Sequence, residues 1–351
     1  MPTDASGSSR RAPAFRSAGG VTDVHAHCVP AELLETLRRD GGRHRVALTG
    51  TDDGIQIQLG SHTSAALPSA LIDLGDRLTT MDRTGVTRQL LSPWMELMAR
   101  ELDAVDALWF ARAYNDALAS MVAATPDRFD ALAILPLREP LAAAAELRRA
   151  VTELGLAGAE IATSATDVDP SSAEFTPLWH TASELAAFML MHPRDPLGSD
   201  RYATDRLPDI VGNPAESTAA VGRLLLSGLL RRLPDLTICV VHGGGFLPYQ
   251  AGRFSAISAI SAPDQRPLAT DWFAHDVRQL YFDSLTHSEQ TLRWLVEFAG
   301  ADHVLVGSDY PFPTGCADPV GAMSKVEALS IGQQAAILHK NADNLLAAVH
   351  R

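Results

Sequence analysis

Eight short runs of apolar residues, separated by longer amphipathic stretches, constrain the fold of this chain more than any other feature of its sequence. Several runs are continuously apolar, which is typical of strands buried on both faces. Helical stretches such as Leu141–Leu154 and Ala215–Arg232 lie between most of them. The predicted strands are Val21–Val24, Arg88–Leu91, Asp130–Leu135, Ala157–Ile161, Phe188–Met191, Thr237–Val241, Leu280–Phe282 and Val304–Val306. Eight repeated strand–helix units predict an α/β fold with a closed parallel sheet, a (β/α)8 TIM barrel.

An open, doubly wound sheet is the alternative fold. No convincing G-x-G-x-x-G sequence follows the first strand, so a nucleotide-binding fold has little support. Residues 41–70 are polar, Gly-rich and irregular, and a short hairpin is predicted at Arg43–Leu59. We expect this segment to be a small polar insertion over the barrel mouth. We expect residues 1–20, which are rich in small residues and Arg, to be a disordered leader, and residues 21–351 to form one domain.

The composition excludes several classes of function. Lys and Arg total 29 against 42 Asp and Glu, a formal net charge of −13, which argues against a general nucleic-acid-binding protein. No segment reaches the roughly 18 consecutive apolar residues that a membrane helix needs, so we expect no membrane partner. Cys28, Cys239 and Cys316 form no C-x-x-C pair. Their spacing disfavours a disulfide framework and a thiolate zinc site, and it indicates a reducing cytoplasm.

Polar side chains that can bind a metal ion close four of the predicted strands. His25 and His27 end the first strand in the motif DVHAH, and residues two apart on a strand face the same side. His192 ends the fifth strand, His242 the sixth and Asp309 the eighth. The carboxyl ends of barrel strands meet at one face, where active sites collect. Imidazoles are common ligands for zinc and similar ions, so this pattern indicates a metal site.

Six stretches in fixed order extend this pattern over almost the whole chain after residue 20. They are Asp23–Pro30 (DVHAHCVP), Met81–Leu90 (MDRTGVTRQL), Gly155–Ile161 (GLAGAEI), Met191–Asp195 (MHPRD), His242–Arg253 (HGGGFLPYQAGR) and Gly307–Pro313 (GSDYPFP). Their order and combination identify a protein family far more specifically than the first-strand histidine pair does alone. With them the chain resembles the amidohydrolase superfamily, and specifically its branch related to aminocarboxymuconate-semialdehyde decarboxylase.

The resemblance implies a role for each residue at a strand end. His25, His27, His192 and Asp309 would hold one divalent metal ion, zinc by default, with manganese or iron(II) also compatible. His242 would be the catalytic acid/base, a role suited to an imidazole near neutral pH. Asp309 would also help to orient a water molecule bound to the metal ion. Binding to a metal ion can lower the pKa of such a water to about 7.

The resemblance also implies how a substrate carboxylate is bound, and here the chain departs from its relatives. Arg253 matches the family's carboxylate-binding arginine, which acts across a homodimer interface, so we expect a homodimer. The family decarboxylase has Trp where this chain has Arg194, and an arginine on the insertion hairpin where our alignment places Gln58, with Gln56 as the alternative. We expect Arg194 to supply the second positive charge from a new position. The opposing interpretation is that Arg194 only pairs with a nearby acid such as Asp195.

These features predict a metal-dependent decarboxylase, a lyase that acts on a small unsaturated or aromatic carboxylic acid. The same site is compatible with hydrolysis of a lactone or amide, or with hydration of a double bond. A third hypothesis is a non-catalytic, metal-binding scaffold. The presence of all four candidate ligands and of His242 disfavours it. The sequence does not separate decarboxylation from hydrolysis.

Overall fold

The computed structural model describes residues 20–51, 54–164, 169–201, 204–258 and 272–350. Its strands are β1 (Val21–His27), β2 (Val46–Thr51), β3 (Gly54–Leu59), β4 (His62–Thr63), β5 (Val86–Ser92), β6 (Phe129–Ala133), β7 (Gly158–Ala162), β8 (Phe188–His192), β9 (Ile238–Val240), β10 (Leu280–Asp283) and β11 (Val304–Leu305). Eight of them form one sheet in the order β1-β5-β6-β7-β8-β9-β10-β11, and the neighbouring strands run parallel.

A backbone contact between the two ends of this sheet closes it into a barrel. The N–H of Val24 donates to the carbonyl of Val306 at 2.8 Å, and Asp23 forms a parallel bridge with the same residue. Each of the eight predicted strands is present, with ends that shift by a few residues. The prediction of a (β/α)8 barrel is therefore confirmed.

Helices follow most barrel strands. They are α1 (Ala31–Asp40), α2 (Ser69–Ile72), α3 (Leu74–Thr84), α4 (Ala104–Ala124), α5 (Pro140–Thr152), α6 (Thr176–Glu184), α7 (Asn213–Ser227), α8 (Leu229–Arg232), α9 (Leu247–Ser258), α10 (Trp272–Asp276), α11 (Glu289–Ala299), α12 (Pro319–Ser324), α13 (Ile331–Ala335) and α14 (Asn341–Val349). The prediction of one helix over Ala215–Arg232 is wrong in one respect. Gly228 has a φ of 72° and separates α7 from α8, because this left-handed conformation ends a helix.

The polar insertion after the first barrel strand contains the predicted hairpin. Strands β2 and β3 pair antiparallel, from Val46 opposite Leu59 to Thr51 opposite Gly54, and β4 adds a third strand to this small sheet. Apart from Gly20, the predicted leader lies outside the described residues. Among the helices of the described ranges, none has both the length and the apolar character that a membrane crossing requires.

The buried apolar residues form two clusters, one of which supports the barrel mouth. The larger cluster joins the barrel strands to the surrounding helices. The smaller one combines strand residues such as Val24, Leu190 and Leu305 with Leu346 of α14. Leu190 precedes His192 by two residues and so shares its strand face. The side chains at the strand ends therefore stand on a packed apolar base.

Candidate metal centre

The structure brings four of the predicted site residues together at the carboxyl ends of the barrel strands. His25 and His27 lie at the end of β1, His192 ends β8, and Asp309 follows β11. Each offers one nitrogen or oxygen atom, and these atoms all lie within 4.8 Å of one another. The pairing of β1 with β5 shifts register between Asp23 and Ala26, an irregularity of the kind that redirects side chains near functional sites.

Backbone carbonyls set the orientation of two of the imidazole rings. His27 donates from Nδ1 to the carbonyl of Pro93 at 2.7 Å, and His192 donates from Nδ1 to the carbonyl of Pro193 at 2.8 Å. A carbonyl oxygen only accepts, so the hydrogen of each neutral ring lies on Nδ1. The lone pair on Nε2 of each ring is therefore free for a metal ion.

A carboxylate orients the third ring. His25 donates from Nδ1 to Oδ2 of Asp283 at 2.8 Å, and its Nε2 lies 3.3 Å from Nε2 of His27. Burial opposes the charged form of His25, but Asp309 and Asp283 outweigh it and raise the pKa of His25 to about 10. The imidazoles in turn hold the pKa of Asp309 well below its usual range despite its burial, with His25 contributing most.

Two carboxylates beside the centre were missed from the sequence. Asp283 lies one residue beyond the predicted strand Leu280–Phe282, so the strand-end rule that selected Asp309 could have found it. Glu160 is an acidic residue inside the apolar run GLAGAEI, and its Oε1 lies 3.9 Å from Nδ1 of His27. Burial is the main cause that raises the pKa of Glu160 to about 7.

The four grouped side chains fit a divalent cation. Nε2 of His192 and Oδ1 of Asp309 are buried, and neither has a hydrogen-bond partner among the described residues. Buried polar atoms are rarely left without a partner. Asp283 and Glu160 are also fully buried beside the centre, where a compensating positive charge lowers the cost of burying carboxylates. Three imidazole nitrogens and one carboxylate oxygen are a common ligand set for zinc and related ions.

His242 stands beside this group rather than within it. Its Nε2 lies 3.9 Å from Oδ2 of Asp309, and its ring centroid lies 5.2 Å from that of His192. His242 and Asp309 have φ values of 56° and 58°, strained conformations that are common at functional sites. The glycine after His242 lets the backbone approach closely, and the Gly243 N–H donates to Oδ1 of Asp283 at 2.8 Å.

A cavity of about 1540 Å³ opens over the centre, and His27, His192, His242 and Asp309 line it. Aromatic side chains form much of the remaining wall, including Trp94, Phe246, Trp294, Phe298 and Phe312. A concave site with apolar walls and a few convergent polar groups is typical of a small-molecule site. Its aromatic surfaces suit a flat ring.

Arg194 also lines this cavity. Its Nη1 lies 3.7 Å from Oδ1 of Asp195, too far for a hydrogen bond. Arg100 donates to the other oxygen of Asp195 in a much closer contact. The Nε of Arg194 is buried without a partner among the described residues. Arg194 therefore keeps hydrogen-bond donors that Asp195 does not use.

Gln58 and Arg253, the other two residues predicted to contact substrate, do not line the cavity of their own chain. Gln58 on β3 donates from Nε2 to the carbonyl of Gly60 at 3.2 Å. Arg253 is exposed on α9, although Tyr249 and Gln250 of the same helix line the cavity. The structure thus places Arg194 at the cavity and leaves the roles of Gln58 and Arg253 as predictions.

Two curated relatives resemble this chain over most of its length. It is 32% identical over 240 residues to a 2-amino-3-carboxymuconate-6-semialdehyde decarboxylase of Dictyostelium discoideum, covering 68% of this chain and 67% of that protein. It is 34% identical over 268 residues to a gamma-resorcylate decarboxylase of Rhodococcus jostii, covering 70% of this chain and 80% of that protein. Both names describe the loss of a carboxyl group.

The fold and the family agree with these relatives. A dihydroxybenzoic acid decarboxylase from Polaromonas sp. JS666, solved with bound manganese and the inhibitor 2-nitroresorcinol, superposes with a TM-score of 0.72 at 27% identity, covering 93% of this chain and 96% of that chain. The profile of the amidohydrolase family matches residues 22–347. The resemblance inferred from the six motifs is confirmed. The chain belongs to the amidohydrolase family, and within it to the metal-dependent lyases that remove a carboxyl group.

Proposed function

We propose that this chain decarboxylates a small aromatic carboxylic acid, with zinc as its native metal ion. The observation that carries the proposal is the convergence of three imidazole nitrogens and the Asp309 carboxylate beneath a cavity with aromatic walls. His25, His27, His192 and Asp309 would hold the ion. A divalent cation bound there would supply a positive charge that binds and polarises oxygen atoms of the substrate.

His242 is the group best placed to move a proton in this reaction. It lines the cavity, and its Nε2 lies 3.9 Å from Oδ2 of Asp309. Decarboxylation requires a proton at the ring carbon that carries the carboxylate. The carbon–carbon bond then breaks, its electron pair restores the aromatic ring, and carbon dioxide leaves. His242 would donate that proton through Nε2 and regain one from solvent before the next turnover.

Arg194 is our candidate for binding a second negative group of the substrate. A guanidinium can grip a carboxylate with two parallel hydrogen bonds. Arg194 lines the cavity two residues after His192, and its Nε has no partner among the described residues. A substrate with a negative group outside the reacting carboxylate would meet this side chain. The aromatic wall would hold the substrate's ring between the metal centre and Arg194.

The oligomeric state and the cellular location of this chain are also proposed. We infer a homodimer in which Arg253 of one copy reaches the cavity of the other, because Arg253 is exposed on a helix that borders its own cavity. Gln58 would contribute a neutral amide to the same region from the insertion. All three cysteines are free thiols, in keeping with the cytoplasmic location expected from their spacing.

The proposed reaction predicts carbon dioxide release from a restricted set of substrates. The metal-loaded protein is incubated with hydroxybenzoic acids, benzene dicarboxylic acids, unsaturated acids and lactones, and gas release and product mass are measured. We expect an aromatic acid to lose 44 mass units, the mass of carbon dioxide, and the lactones to stay intact. A product heavier by one water, formed without gas release, would indicate hydrolysis or hydration instead.

The proposed ligands predict about one metal ion per chain. The double variant His25→Ala, His27→Ala should lose most of its metal in elemental analysis, because two of four ligands are gone. His180 is exposed on α6, so His180→Ala serves as the matched control and should keep the wild-type content. Full metal occupancy in the double variant would contradict the ligand assignment.

The role of His242 predicts a loss of turnover without a loss of metal. Removing a general acid or base typically costs roughly 10²- to 10⁴-fold in rate, and His242→Ala should lose kcat within this range. Elemental analysis and thermal unfolding should match the wild-type protein. A variant with near-normal kcat on the identified substrate would assign the proton transfer to another group.

The arginine contacts predict a loss of catalytic efficiency without loss of metal. Arg194→Met and Arg253→Met should each lower kcat/KM about 10- to 100-fold, since each removes charge-assisted hydrogen bonds. Arg206 lines the same cavity but is exposed and paired with Asp209 at 2.8 Å. Arg206→Met is therefore the control and should change kcat/KM little. An Arg194→Met enzyme with unchanged kcat/KM would leave Arg194 only its pairing with Asp195.

A further inference from the structure

Arg77 is a buried cation that the proposed reaction does not use. It lies on α3 with 1% of its surface exposed, and the described residues place no carboxylate in ion-pair contact with it. Burying an unpaired charge is costly, so such a group is retained only where specific acceptors hold it. The identity of those acceptors indicates what Arg77 does.

Two direct contacts of Arg77 involve segments that carry candidate metal ligands. Its Nη2 donates to the backbone carbonyl of His27 in a short hydrogen bond. Its guanidinium lies over the ring of Tyr310, 4.5 Å from the ring centroid, a favourable cation–π arrangement. Tyr310 directly follows Asp309 in the chain. Arg77 therefore contacts both the β1 ligand segment and the segment after β11.

The third contact of Arg77 is with the side-chain amide of Gln89, which connects it to the same two segments. Nη1 of Arg77 donates to Oε1 of Gln89 at 3.0 Å, and Nε2 of Gln89 donates to Oδ2 of Asp23 at 3.0 Å. The two ends of the Gln89 amide thus connect a buried cation to a buried carboxylate. Asp23 lies two residues before His25.

Asp23 completes the link between the ligand segments. Its Oδ1 accepts from the backbone N–H of His25 at 3.2 Å and from the N–H of Ser308 at 3.0 Å. Its Oδ2 accepts from Oγ of Ser308 at 2.6 Å. Ser308 directly precedes Asp309, so Asp23 holds the histidine pair and the aspartate in one hydrogen-bonded unit.

We propose that the Arg77–Gln89–Asp23 chain is a positioning element of the metal centre, in addition to the carbonyls and the Asp283 carboxylate that orient the individual rings. It sets the distance between the β1 histidines and Asp309 from outside the cavity, without contacting substrate. The inference rests on the proposed metal centre. Groups that hold metal ligands in place typically change metal affinity or activity roughly 10- to 100-fold when they are altered.

Arg88 is a matched control for Arg77. It neighbours Gln89 on β5 and is almost as buried, but it donates to Oδ2 of Asp130 at 2.6 Å and to the carbonyl of Pro126 at 2.8 Å. Asp130 lies near the start of β6, at the end of the barrel opposite the metal centre. Arg88→Lys therefore makes the same change at a buried arginine whose hydrogen bonds to Asp130 and Pro126 lie away from the ligand segments.

The test uses cobalt(II), whose visible absorption reports coordination geometry, with the metal-free full-length protein. Arg77→Lys keeps the charge but cannot reach the His27 carbonyl and Gln89 together, and Gln89→Met breaks the chain with Arg77 intact. We expect each variant to weaken cobalt binding about 10- to 100-fold and to alter the absorption spectrum. Arg88→Lys should keep the wild-type Kd and spectrum, with thermal unfolding showing that all variants fold.

The outcomes separate this inference from the proposed function. Wild-type Kd and spectrum in both Arg77→Lys and Gln89→Met would overturn the positioning role while leaving the metal centre intact. An equal effect of Arg88→Lys would also overturn it, because the change would then reflect general stability. A wild-type protein that binds no cobalt would contradict the metal centre itself, and the inference would fall with it.

Discussion

The closure of the barrel is the constraint on which the site depends. His25 and Asp309 lie near opposite ends of the chain, and they meet because the last barrel strand pairs beside the first. In a parallel barrel every strand ends at the same face. The histidines of β1, His192 of β8 and Asp309 after β11 therefore converge without any local sequence relation among them.

The cost of burying charge is the second constraint, because the centre contains several buried carboxylates that each need a compensating group. Asp23, Asp283 and Glu160 are fully buried, and Asp309 is nearly so. Each would be costly to bury as an isolated anion. Asp283 is offset by the His25 imidazole, Asp23 by several hydrogen-bond donors, and the group as a whole by Arg77 and the cation that the ligand set fits. The centre is thus a network in which each charge depends on its neighbours.

In the proposed function, the metal ligands and His242 carry out the reaction, and the cavity wall selects the substrate. The ligand group and His242 stand on strand ends above a packed apolar base, where rigid elements hold side chains closely. Arg194, the insertion hairpin and part of the aromatic wall lie in connecting segments, which vary more readily than a scaffold. This division is consistent with a family whose decarboxylases are named for different acids.

The sequence by itself determined the barrel, the eight strands and the four side chains that gather at its mouth, because strand periodicity and strand-end position are local signals. It also placed His242 and Arg194 at the cavity. It did not reveal that Asp283 orients His25, that Glu160 lies beside His27, or that Arg77 and Gln89 join the two ligand segments. Those contacts connect residues far apart in the chain, from 12 positions for Arg77 and Gln89 to 258 for His25 and Asp283. No periodicity encodes such distances, so only the closed tertiary structure decided them.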